Sequence, residues 1–168
     1  MTRFTITPGR SELTAVANSS VHPIHGEGKP LSGWVEAVVN DGAVDVSRPA
    51  SAHLELEVTS LRADNPLVNR EIQRRLDPRR YPTVRADIDE LSELGNGRYG
   101  VRGKLSLHGI TQEVSGEAAI AVGPDGVMKV DGELTLDIRE YGLEPPKVLG
   151  LRVYPEVDVR LKVVATPD

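Results

Sequence analysis

Gly95-Asn96-Gly97-Arg98-Tyr99-Gly100 spells G-x-G-x-x-G, a pattern whose amides hold a dinucleotide pyrophosphate when a helix follows. From Arg98 onward the residues alternate as in a strand, so these glycines predict a hairpin turn with positive φ. His22-Pro23-Ile24-His25 offers two imidazoles, but in extended chain residues three apart point to opposite faces, and no spacing supplies the third ligand a zinc site needs. His53 and His108 fall at separate outward strand positions, so no metal site is expected. Arg70, Arg74, Arg75, Arg79 and Arg80 together could grip phosphate or an anionic membrane surface. The simpler reading is a solvated helix face with Glu71 and Arg75 paired at i, i+4. Asp87 and Asp89 share a strand face but receive no acid-base role, because solvent-facing acids abound in the chain. No nucleophile elbow, H-E-x-x-H, P-loop or EF-hand loop is present, so the expectation is a protein without catalytic residues or cofactor.

Composition narrows the field further. With no cysteine, disulfides, thiolate zinc sites and cysteine nucleophiles are excluded together. A formal charge of -5 argues against general attraction to nucleic acid. The opening MTRFTITPGRSELTAV lacks the apolar core of a signal peptide, and no run approaches the roughly 20 apolar residues of a membrane span. A cytoplasmic protein without stable membrane insertion is therefore expected. At 168 residues the chain suits one domain, 1–168. Only one Phe, one Trp and four Tyr are available, so the interior must be built from Val, Leu, Ile and Ala, which leave less bulk to fill a wide space.

The elements that would position any site are mostly strands. Leu54, Leu56 and Val58 alternate with His53, Glu55 and Glu57. The same period-two pattern recurs in Val101 to Leu107, Val114 to Val122, Val130 to Ile138 and Val157 to Val163. Weaker strand signals lie at Arg3 to Thr7, Glu12 to Ala17, Gly33 to Val39 and Val84 to Asp89. Turn signals at Asn40-Asp41-Gly42, Asn96-Gly97, His108-Gly109 and Pro124-Asp125-Gly126 join them by short loops. One segment differs. Asp64-Asn65-Pro66 supplies a cap and a first-turn proline, and Val68, Ile72 and Leu76 then recur every four residues, predicting a helix across one end of the structure. Eight or more strands suffice to close a barrel that either packs solid or holds one small ligand.

The order of these pieces resembles the YceI-like family of lipocalin-like, polyisoprenoid-binding proteins. The resemblance rests on FTITPGRSEL, SGWVEA, TSLRADNPLVNREI, RRYPTVRADI, VRGKLSLHGITQEV and DIREYGL, spread over nearly the whole chain. It implies an all-β, eight-stranded antiparallel barrel with one amphipathic helix near the mouth and a polyisoprenoid tail in an apolar tunnel. The chain departs from the family pattern in a general loss of Phe, which the family often places along the tunnel, in the segment SSVHPIHGE, and at two further places. Arg70-Glu71 stands for the family's Arg-Asp pair, and Tyr141 in Arg139-Glu140-Tyr141-Gly142 puts a hydroxyl where a phenyl ring is usual.

The expected function is binding and carriage or storage of an isoprenoid or similar long apolar lipid, held by contact area without specific bonds. The residues expected to line its site are Trp34, Leu54, Leu56, Val58, Val101, Leu105, Leu107, Leu134, Leu136, Ile138, Val159 and Leu161, with Leu67 and Ile72 from the helix and Tyr141 from the turn. Two rivals stand beside this reading. One is a barrel enzyme on a hydrophobic substrate, which would need His22 or His25 buried beside an acid. The other is a stress-related surface-binding module with a closed core. Edge strands and the helix leave a homodimer open.

Overall fold

The computed structural model describes residues 1–168. Eight antiparallel strands close into a barrel. The first, β1, is broken into Thr2–Ile6 and Glu12–Ser19 by a 3-10 turn at Pro8–Arg10; the second, β2, is broken into Ile24–Gly28 and Ser32–Ala37. There follow β3 (Ser51–Glu57), β4 (Thr83–Gly95), β5 (Arg98–Leu107), β6 (Ile110–Val122), β7 (Met128–Asp137) and β8 (Leu151–Pro167). Each strand pairs with the next, and β8 returns to pair with both pieces of β1, so the sheet has no free long edge. No helix is long and apolar enough to cross a membrane.

The turns do what their residues allow. Asn96-Gly97 and His108-Gly109 both adopt positive φ and close the β4–β5 and β5–β6 hairpins. The G-x-G-x-x-G stretch is thus a strand–turn–strand, as its alternation predicts. The single helix, α1, spans Pro66–Leu76. Asn65 Oδ1 accepts hydrogen bonds from the Leu67 and Val68 amides at 3.0 and 3.1 Å, and Arg74 and Arg75 sit in the last turn, where the helix dipole favours cations. Gln73 Nε2 donates to the Val58 and Leu61 carbonyls at 2.8 and 2.9 Å, fastening α1 across one end of the barrel.

Two strand ends are corrected. Val58 and Ile138 do not extend their strands; each opens a 3-10 turn, Val58–Ser60 and Ile138–Tyr141. Ile24–Gly28 is a strand without alternating aliphatics, because Gly28 lies where Leu56 and Leu61 press in: a Cβ there would stand 2.8 Å from both side chains. The expected Glu71–Arg75 pair forms at 3.5 Å, and Glu71 also meets Arg74 at 2.9 Å, so the arginine face is partly self-neutralised.

Candidate functional site

Strand alternation sends one side chain in two toward the barrel axis. Leu54 and Leu56 come from β3, Val101 and Leu105 from β5, Val114, Ala118 and Ile120 from β6, Leu134 and Leu136 from β7, and Val159, Leu161 and Val163 from β8. On β4 the sequence parity breaks. Arg102 pairs with Glu90 while Gly103 pairs with Ile88, so Asp89 is an extra residue, and this bulge turns Leu91 inward beside Val101 instead of Glu90. The aliphatic chains do not meet at the centre. They surround a hollow of about 200 Å³, and 26 of the 33 residues around it are hydrophobic, which makes it an apolar space.

The hollow reaches only part of the barrel's length. At the helix end, Val58, Leu76, Leu105, Leu107, Tyr141 and Leu143 pack into a floor, with Ile72 and Ile138 against them. At the opposite end, Phe4, Tyr99, Val44 and Met128 close the barrel, and Tyr99 Oη accepts the Val44 amide hydrogen at 3.0 Å. Burial records the difference: Leu54, Val101, Leu134, Leu136 and Leu161 point inward yet stay only half-buried, whereas Val58 and Tyr141 are almost wholly enclosed.

A seam runs from the hollow toward the floor. The β6–β7 ladder extends only from Val122–Met128 to Glu117–Glu133, although β6 keeps pairing with β5 and β7 with β8. Past that point the strands part, and Ile110, Val114, Leu136, Ile138 and Tyr141 fill the gap. Gln112 Nε2 donates to the Glu140 carbonyl at 3.0 Å across it.

Electrostatics keep charge out of the interior. Glu55, Glu117 and Glu133 border the hollow with backbone, while their carboxylates, about half exposed, pair outside with His53 or with Arg98 and Arg160. Two buried side-chain polar atoms lack a partner, and one is Tyr141 Oη in the floor; burial, then the nearby Glu140 carboxylate, raises that phenol's pKa. On the outer wall, protonated His53 donates from Nδ1 to Asp87 at 2.6 Å and from Nε2 to Glu55 at 2.9 Å, and these hydrogen bonds raise its pKa above the usual histidine range.

Of the residues expected to line the site, Leu54, Leu56, Val101, Leu105, Leu134, Leu136, Val159 and Leu161 border the hollow. The other seven do not. Trp34 sits on the outer wall because its neighbours Val35 and Ala37 take the inward positions; it stacks on His53 at 6.2 Å under the Arg3 guanidinium at 4.5 Å. Val58, Ile72, Leu107, Ile138 and Tyr141 belong to the packed floor, and Leu67 is exposed at the start of α1. Sequence reasoning missed Ile6, Leu13, Val35, Val84, Ile88 and Leu91 as lining. It also passed over Ile120, Val130 and Val163, whose inward parity is visible in their alternating runs.

Fold and hollow together define a lipocalin-like barrel closed around an apolar space. The family model described as a YceI-like domain matches residues 4–165, and the chain belongs to the YceI-like family. Among solved structures it is similar to BcnA of Burkholderia cenocepacia, with a TM-score of 0.80 at 22% identity over 96% of this chain and 99% of that one. It is also similar to a polyisoprenoid binding domain from Saccharophagus degradans implicated in plant cell wall breakdown, with a TM-score of 0.75 at 15% identity over the full length of both chains. The YCEI protein of Campylobacter jejuni follows at a TM-score of 0.61 and 15% identity, over 85% of this chain and 84% of that one. These likenesses are in fold. No curated protein sequence matches the chain.

Proposed function

We propose that the barrel carries or stores an isoprenoid or similar apolar lipid, with hydrocarbon in the hollow and any polar end outside, and that it has no catalytic residues of its own. The observation that carries this reading is the aliphatic hollow enclosed by a closed barrel. The likeness to a polyisoprenoid binding domain supports the ligand class. Each methylene-sized group placed there contributes about 0.8 kcal/mol, so contact area alone can outweigh the cost of association.

Volume sets a limit on the part of the ligand that is held. An engineered apolar cavity of about 150 Å³ takes up benzene, and pockets that engulf drug-sized ligands run from about 300 to 1,000 Å³. At about 200 Å³ this hollow accommodates a short hydrocarbon stretch, on the order of two isoprene units. A longer chain must project from the barrel or spread the β6–β7 seam. The rival enzyme reading loses its candidate bases, because His22 and His25 are both exposed on or beside β2 and neither borders the hollow. Native mass spectrometry of gently purified protein tests the proposal. A co-purifying apolar lipid at one per chain is expected; protein that stays empty after growth and after incubation with prenyl lipids would refute it.

A further inference from the structure

Four two-residue turns place both residues at positive φ: Asp41-Gly42 at 52° and 78°, Asn96-Gly97 at 56° and 75°, His108-Gly109 at 56° and 74°, and Leu149-Gly150 at 47° and 81°. This geometry matches the right-handed twist of a hairpin. Asp, Asn and His tolerate the left-handed region at the leading position, whereas a bulky aliphatic residue there is strained. Leu149 is also 91% exposed. The hairpin formed by Lys147-Val148 and Leu151-Arg152 would close more comfortably on Asn-Gly, so the fold does not call for a leucine.

The surroundings of Leu149 share its character. The Ser20 amide donates to the Arg152 carbonyl, and the Arg152 amide donates to Ser20 Oγ, each at 2.9 Å. These bonds tie the adjoining loop, with Val21 69% exposed, to the same hairpin. Tyr154 lies on the outer face two residues past Arg152, whose guanidinium is 6.0 Å from its ring. The helix packs against the hairpin and presents Leu67 to solvent.

The two segments that meet here are basic. Residues 64–80 hold five arginines against three acids, and residues 144–154 hold Lys147 and Arg152 against Glu144, in a chain of net charge -5. Glu71 is engaged by Arg74 and Arg75, Glu144 is paired with Arg75, and Asp64 accepts the His25 amide hydrogen. Arg70, Lys147 and Arg152 take part in no ion pair.

We propose that this end of the barrel docks reversibly on an anionic lipid bilayer, with Leu149 and Val21 entering the interface and Arg70, Lys147 and Arg152 meeting headgroup phosphates. Isolated apolar tips flanked by unpaired cations suit a bilayer surface, whereas a protein interface favours a broader patch with lysine depleted at its core. Insertion removes the exposed leucine from water and gives a use to a strained turn. The docking goes beyond the carrier reading and does not depend on the hollow being filled.

The test is co-flotation with phosphatidylcholine vesicles, with and without a minority of phosphatidylglycerol. The wild type floats with the anionic vesicles and loses them in high salt. Leu149→Asn weakens binding about tenfold, the value of one leucine withdrawn from water, while its melting temperature stays level or rises because Asn-Gly suits the turn. Leu149→Trp, with a side chain that favours the interface, binds at least as tightly as wild type. Arg152→Ser weakens anionic binding about fivefold. Failure of the wild type to bind anionic vesicles, or equal binding by Leu149→Asn, overturns the proposal. Uptake of a fluorescent prenyl probe from solution, measured on the same variants without vesicles, is unchanged by Leu149→Asn, so loss of docking and loss of carriage register separately.

Discussion

The two halves of the barrel are built from the same strands with the same alternation, yet one is hollow and the other solid. Leu105 and Leu107 show the contrast over two residues of β5: the first borders the hollow and the second belongs only to the floor. What differs is what enters along the axis. Near the helix end, α1 delivers Ile72 and Leu76, and the turn after β7 delivers Tyr141, so the inward aliphatics find partners. In the middle nothing is delivered, and Val, Leu and Ala on opposite walls are too short to touch. A ligand space is thus made by withholding side chains from the axis of an otherwise ordinary core.

Tyr141→Ala should break the solid half most severely. Removing a fully buried ring from the floor is expected to cost about 3–5 kcal/mol in chemical denaturation, the range for aromatic-to-alanine changes. Leu134→Trp should act oppositely in the hollow half. The ring has space to occupy, so the melting temperature holds while affinity for a short prenyl alcohol falls about a hundredfold, near 2.7 kcal/mol. Leu161→Ala sharpens the contrast, because it enlarges a space that already exists; its cost should be only about 1–2 kcal/mol, below the usual range for a packed leucine.

Tyr141→Phe should leave the floor intact and remove an unpaired buried hydroxyl, raising stability by about 1 kcal/mol. The smallest effect concerns the outer wall. The pKa of His53 is raised in the folded state, so its pairing with Asp87 and Glu55 stabilises fully below about pH 6.5 and is lost as pH climbs through the raised value. Since Asp87 is largely exposed, the difference between wild type and His53→Gln across that window should stay under about 1 kcal/mol in pH-dependent unfolding.

The barrel was legible in the sequence because period-two alternation is a local property, and the helix because Asn65-Pro66 and the Val68, Ile72, Leu76 stripe are local as well. Membership of the lining was legible only where parity ran unbroken. A single bulge at Asp89 turned Leu91 inward, and Trp34, as one large apolar residue in a short strand, gave no parity of its own. Depth was not legible at all. Whether an inward leucine borders space or packs depends on where a distant helix and turn cross the axis, and alternation along one strand carries no record of that.

The most direct test of the hollow as ligand space is calorimetric titration of a two-unit prenyl alcohol into wild type and Leu134→Trp. Saturable one-to-one binding with a negative heat-capacity change by the wild type, and none by the filled variant, is the expected result. Equal binding by both, or no binding by the wild type, would contradict it.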